Sequence, residues 1–197
     1  MGKIFCIMGK SSSGKDTIYK RLLADETLGL KRIVTYTTRP IRKGEKDGEE
    51  YYFIGEEDVE RLSKEGKIVE LRAYDTVHGI WKYMTVADEN INLAANNYVI
   101  IGTPESYSGC LKFFGQSIMV PILITVDDGV RLERALRRER KQENPKYEEM
   151  CRRFLADARD FSEERLKEAG IDTRFENVDL EKCYAQIEQF IQARIQG

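Results

Sequence analysis

At 197 residues the chain can bury one good core with room for inserts, and two independent domains are not required. Its 32 basic and 34 acidic side chains leave a net charge of −2, which excludes a global attraction to nucleic acid or to an anionic membrane and leaves anion binding to local geometry. The four cysteines (Cys6, Cys110, Cys151, Cys183) form no C-x-x-C pair, which argues against a zinc site and fits reduced thiols, and with no signal peptide or membrane-length apolar stretch the expectation is a soluble, cytoplasmic monomer or homodimer.

The first element is a short apolar run, Lys3 to Met8, of the kind that forms a buried strand. It stops at Gly9-Lys10-Ser11-Ser12-Ser13-Gly14-Lys15-Asp16-Thr17, and a helix should follow. Glycines at both ends let such a loop fold around a phosphate with its N–H groups inward, while the positive end of the next helix favours the anion. The spacing fits the nucleotide-binding P-loop, G-x-x-x-x-G-K-S/T, at every position but the last. There Asp16 replaces the hydroxyl residue that normally meets magnesium; it could bind the metal itself, act through water, or hand the role to Thr17. Lys15 would reach the terminal phosphates.

A helix-period pattern covers Thr17 to Leu30 and ends at Gly29. Two β-rich runs, 31–40 and 51–54, read as strands joined by a charged turn. Arg39 and Arg42, with hydroxyls of Thr35, Thr37, Thr38 and Tyr51 nearby, suit a bidentate grip on phosphate, although a solvated surface hairpin would look the same. Helical spacing over Glu56 to Gly66 precedes a strand over 67–72, in which Glu70 sits between apolar neighbours as either an outward residue or a buried acceptor. The mixed stretch 73–85 contains Trp81 and the sole histidine, His78, which is more often structural than catalytic. A helix is expected over Val86 to Asn96, then core strands over 98–103 and 119–126. A basic helix from Val130 to Arg140 lines up Arg131, Arg134 and Arg138 on one side. A second helix from near Tyr147 to about Ala169, a last strand at 174–178 and a helix over 180–195 complete the chain. This alternation indicates an α/β protein, a P-loop parallel sheet covered by helices on both sides in three layers. The stretches 33–85 and 127–153 interrupt the alternation as lids on a core would.

Over nearly its whole length the chain resembles the guanylate kinases. Thr35-Tyr36-Thr37-Thr38-Arg39-Pro40-Ile41-Arg42-Lys43-Gly44-Glu45, with Asp47-Gly48 and Tyr51-Tyr52-Phe53, is similar to that family's S-x-T-T-R-x-x-R-x-G-E-x-x-G-x-x-Y-x-F stretch, a far more specific motif than a P-loop alone. The resemblance implies a single domain with core 1–32, 86–126 and 154–197, a β-rich insert for the nucleoside monophosphate at 33–85, and a helical lid at 127–153. It implies transfer of a phosphoryl group from ATP to GMP with Mg2+. Arg39, Arg42 and Tyr51 would hold the GMP phosphate and Thr35 and Glu70 the guanine, while Tyr83-Met84-Thr85 resembles the Y-G-T element that also reaches GMP. Arg134 and Arg138 match lid arginines and Arg153 the arginine of the following helix; together with Lys15 they would supply catalytic charge. ATP would lie on Gly9, Ser11, Ser12, Ser13, Gly14, Lys15, Asp16 and Thr17, with Asn177 near the adenine.

Two departures from the family pattern stand out. Gly102-Thr103-Pro104, with Glu105 beyond, occupies the strand end where the family carries acids, and Asp16 stands in the phosphate loop. A carboxylate moved from the strand end to the loop would keep magnesium's ligands oxygen-based, with Asp16 or Thr17 as the protein's share. A lysine–aspartate–hydroxyl ending also resembles ribose bisphosphate kinases, and loss of catalysis would leave a guanylate-kinase-like binding module. The GMP signature argues against the first alternative and the joint survival of Lys15, Arg134, Arg138 and Arg153 against the second.

Overall fold

The computed structural model describes residues 1–42, 44–76 and 79–196, so Lys43 and His78 of the stretches singled out above lie outside the described residues. The chain opens with β1 (Ile4–Met8), passes through the phosphate loop into α1 (Lys15–Ala24), and continues through short strands β2 (Lys31–Arg32), β3 (Tyr36–Thr37) and β4 (Tyr52–Phe53). Then come α2 (Glu56–Lys64), the antiparallel pair β5 (Ile68–Thr76) and β6 (Gly79–Val86), β7 (Tyr98–Ile101), α3 (Pro104–Phe114) and β8 (Met119–Thr125). The last elements are α4 (Asp128–Glu139), α5 (Tyr147–Asp160), α6 (Glu163–Glu168), β9 (Arg174–Glu176) and α7 (Leu180–Gln196).

Five strands form a parallel sheet in the order β2-β7-β1-β8-β9. All five residues of β1 are buried, because successive side chains point to opposite faces and both faces are covered. Ile4, Cys6 and Met8 join Tyr107 and Cys110 of α3, with Phe161 and Leu166, in one core. Phe5 and Ile7 join Ile18 and Leu22 of α1 with Cys183, Ile187 and Ile191 of α7 in the other. The P-loop α/β fold expected from the alternation is therefore present, with its helices on both faces. Since β1 lies between β7 and β8, the loop leaving its C-terminal end opens where the strand order reverses, the position at which such sheets bind ligands.

A second sheet, β4-β3-β6-β5, is built wholly from residues 36–86. Val59 and Leu62 of α2 pack on Met84 and Val86 beneath it. The two β-rich runs around the charged turn do not make a hairpin: β3 and β4 run parallel, Tyr36 facing Tyr52 and Thr37 facing Phe53. Of the stretch 73–85, with no regular element expected, residues 73–76 complete β5 and residues 79–85 enter β6.

Three helical expectations change. Residues 87–97 are turns rather than a helix, because Asp88 and Asn92 capture the backbone N–H groups of Asn90 (2.9 Å) and Ala94 (3.1 Å), which competes with helix formation. Helix α3 was not anticipated; Thr103 and Ser106 cap it reciprocally and Pro104 occupies its first turn. The long helix expected over 147–169 breaks at Phe161, where Ser162 starts α6 by accepting from the Arg165 N–H. No helix of the described residues is long and apolar enough to cross a membrane, and all four cysteines are free.

Candidate nucleotide site

The phosphate loop holds two residues in the left-handed region, Ser12 at φ 64° and Gly14 at φ 91°. Gly14 is required twice over, by its φ and by contact: a Cβ there would lie 2.2 Å from Asn177 Nδ2. That amide donates to the Ser13 carbonyl at 2.7 Å, so the turn after β9 clamps the loop. Ser12 Oγ and Ser13 Oγ are buried and have no hydrogen-bond partner among the described residues. Unsatisfied buried hydroxyls are rare, and two of them beside a helix N-terminus fit the oxygens of an anion. Lys15 is mostly buried, with its Nζ 3.5 Å from the Asp16 carboxylate, whereas Asp16 itself faces solvent.

A brace that sequence reasoning did not assign ties α4 and α5 to this loop. Asp157 of α5 accepts the Ser11 N–H at 2.8 Å, and Arg131 of α4 donates to the Ser11 carbonyl at 2.9 Å while lying 3.2 Å from Asp157. The Arg131 guanidinium, 1% exposed, also binds Asp128 through Nε at 2.9 Å and stacks on the Phe154 ring at 4.5 Å. Its Nη2 is at ion-pair distance from Asp128 but is poorly aligned for a hydrogen bond. The arginine row had marked Arg131 by spacing alone, and nothing local in the sequence pairs it with Asp157, 26 residues on.

The predicted catalytic arginines separate. Arg134 reaches the loop region, donating to the Asn177 carbonyl at 3.2 Å. Arg138 is exposed on the next turn of α4, and Arg153 is exposed on α5, paired with Glu149 at 2.7 Å. Arg152 and Arg153 together hold the Glu149 carboxyl down at about 2.

In the second sheet the buried Arg39 makes a two-pronged bond to Glu45 (2.8 and 2.6 Å) and lies over the rings of Tyr51 and Phe53 at 5.1 and 5.3 Å. This hydrogen-bonded guanidinium lowers the Glu45 carboxyl to about 2. Burial pushes the Tyr51 hydroxyl upward, and its ring meets Tyr83 edge-on at 5.6 Å. Arg42 is exposed, its backbone N–H bound to Glu45 at 2.8 Å. Thr35 precedes β3 and accepts the Tyr52 N–H through its carbonyl.

Glu70 is a buried acceptor rather than an outward strand residue. Its Oε1 accepts from Thr85 Oγ1 at 2.8 Å, and Arg72 donates to Oε2 through Nε at 2.9 Å. Helix α3 packs directly beneath it, since a Cβ on Gly109 would fall 2.5 Å from Glu70 Cβ. A cavity of about 770 Å³ opens over Glu70, Arg72, Thr103 and Glu105. The strand end that departs from the family pattern serves packing and capping: a Cβ on Gly102 would lie 2.8 Å from Cys6 Sγ, and Thr103 caps α3.

A phosphate loop at the sheet's reversal point, two arginine-bearing helices braced against it and a second sheet with a buried arginine beside it and a buried carboxylate on it define a P-loop phosphotransferase of the mononucleotide kinase type. The model of the family "Guanylate kinase" matches residues 1–100. A guanylate kinase of Symbiobacterium thermophilum is 30% identical over 197 residues, covering 98% of this chain and 85% of that protein. One from Schizosaccharomyces pombe is 30% identical over 182 residues, covering 92% and 86%. One from Neisseria gonorrhoeae is 40% identical over 101 residues, 51% of this chain and 46% of that protein. The crystal structure of guanylate kinase from Anaplasma phagocytophilum has the same fold, with a TM-score of 0.68 at 22% identity over 98% of this chain and 85% of that one. The chain belongs to the guanylate kinase family, and its enzyme class is phosphoryl transfer.

Proposed function

We propose that the protein transfers the terminal phosphoryl group of ATP to GMP, giving ADP and GDP. The observation that carries this reading is the buried Glu70 carboxylate, fixed by Thr85 and facing a cavity, in the same insert as Arg39 and Tyr51. A carboxylate there would accept from the N1–H and exocyclic amine of guanine, and the Thr35 hydroxyl would meet O6. Adenine presents no matching pair of donors and would leave the buried oxygens unpaired, the kind of mismatch that discriminates most strongly. Arg39, Arg42, Tyr51 and Tyr83 would hold the acceptor phosphate.

On the donor side the loop N–H groups, Ser12 and Ser13 hydroxyls and Lys15 would hold the phosphates, and Asn177 already fixes the loop that receives them. Phosphoryl transfer asks for in-line positioning and positive charge more than for covalent chemistry. Lys15 and Arg134 supply that charge at the loop, and closure of the lid would add Arg138 and Arg153 and exclude the water that would otherwise take the phosphoryl group. Mg2+ retains waters and phosphate oxygens and needs only one or two protein ligands. Asp16 and Thr17 would supply those ligands, and the ion would neutralise charge on the phosphates.

The test is a coupled assay of ADP release with ATP and magnesium on GMP, AMP, CMP, UMP and ribose 1,5-bisphosphate. Turnover confined to GMP is the expected result. Turnover on the bisphosphate, or none on any acceptor while GMP still binds, would replace the reading with the ribose bisphosphate kinase or the binding module.

A further inference from the structure

Glu70 and Arg72 lie two residues apart on β5 and therefore point to the same face of the sheet. The Arg72 guanidinium lies side-on to the carboxylate, with Nε 2.9 Å from Oε2 and Nη2 3.4 Å from Oε1, and Thr85 fills the remaining approach to Oε1. Both side chains are well covered, Glu70 at 5% exposure and Arg72 at 14%. Among the described residues three donor groups meet this carboxylate, and two of them are adjacent N–H groups in the arrangement that the N1–H and amine of a guanine would present.

We infer that Arg72 is a resident counter-ion of the acceptor-base subsite, a guanidinium that the incoming base displaces from Glu70. The inference rests on the guanine reading of Glu70 given above. A base that pairs through both its N1–H and its amine needs the same two-oxygen edge of the carboxylate that the fork of N–H groups occupies, so two-pronged binding requires the guanidinium to leave. A departing buried cation needs new partners. The cavity supplies them, because Arg72 lines the same 770 Å³ space as Glu105, Asp160 and Glu168, with room for the side chain to turn away from the sheet. Glu70 and Thr85 then remain as the fixed part of the subsite and Arg72 as its movable part. The apparent acceptor affinity is reduced by the fraction of molecules in which the guanidinium stands on Glu70. Arg72 therefore sets the acceptor concentration at which the enzyme works, without touching the phosphate loop.

The experiment compares wild type, Arg72→Ala and Arg72→Lys, measuring KM for GMP and for ATP separately, and follows the Arg72 Nε–H NMR signal of the wild type during a GMP titration. Arg72→Ala is expected to lower the GMP KM about tenfold. The lysine variant, a single point charge in place of the fork, falls between, the ATP KM holds, and the Nε–H signal moves as GMP binds. A wild type that phosphorylates GMP with an Arg72→Ala KM unchanged or raised would overturn the inference and leave the function intact; an Nε–H signal unmoved at saturating GMP would do the same should the alanine variant fail to fold. Failure of both wild type and Arg72→Ala to bind GMP would remove the guanine reading of Glu70 and the inference with it.

Discussion

Replacing Arg131 by Met keeps most of the buried stem and removes only the guanidinium. Three groups lose a partner: the Ser11 carbonyl at 2.9 Å, Asp157 at 3.2 Å and Asp128 at 2.9 Å. Removing one member of a fully buried pair costs about 3–5 kcal/mol. Asp157 keeps the Ser11 N–H and is 16% exposed, and Asp128 is half exposed and keeps Lys10, so the loss is reduced to about 2–3 kcal/mol. For a chain of this size that corresponds to a fall in Tm of about 5–10 °C. Because the same guanidinium holds the backbone of the phosphate loop, the ATP KM should rise by about tenfold or more, with the GMP KM little changed. Urea melts and initial-rate kinetics on Arg131→Met, Asp157→Asn and the double variant read both effects, and the pair should show a coupling of about 1 kcal/mol or more. Losses below about 0.5 kcal/mol with an unchanged ATP KM would refute the claim that this brace shapes the loop.

Gly14→Ala places a Cβ against Asn177 at φ 91°, so it should destabilise by more than about 1 kcal/mol and raise the ATP KM, as melts and kinetics would register. Glu70→Gln exchanges one acceptor oxygen for a donor, and kcat/KM for GMP should fall about a hundredfold or more while the ATP KM holds. Glu45 has its carboxyl lowered to about 2 by Arg39, below its ordinary value of 4.5, so its stabilisation is complete above pH 4.5 and lost as pH falls through about 2. Glu45→Gln should accordingly lower stability at neutral pH and flatten the acid limb between pH 4.5 and 2 relative to wild type, measured by chemical denaturation at each pH. Asp16→Ala should raise the magnesium concentration needed for half-maximal rate, and an unchanged requirement would assign the metal's protein oxygen to Thr17 alone.

The phosphate loop, the central strands and the helices α1, α2, α4 and α7 were legible because each rests on local signals: apolar periodicity, glycine placement and arginine spacing. The segment 87–97 was misread because its apolar spacing suits a helix, while its Asp and Asn side chains bind neighbouring N–H groups instead. The parallel pairing of β3 with β4 was hidden because it is set by β6, which arrives some thirty residues after Phe53 and pairs with β3 from the other side. For the candidate site, sequence names residues but not their partners. Lys15, Arg39, Glu70 and Thr85 announce themselves by type and motif. The brace of Arg131 with Asp157, the clamp of Asn177 on Ser13, and the engagement of Glu70 by Arg72 depend on how distant or adjacent side chains are turned by the fold.

The most direct test is to identify the products by 31P NMR in a mixture of enzyme, ATP, magnesium and GMP. The account predicts that the GMP resonance is replaced by the two resonances of GDP in step with conversion of ATP to ADP, one for one. Release of inorganic phosphate with GMP unchanged, or an intact ATP spectrum with GMP bound, would contradict it.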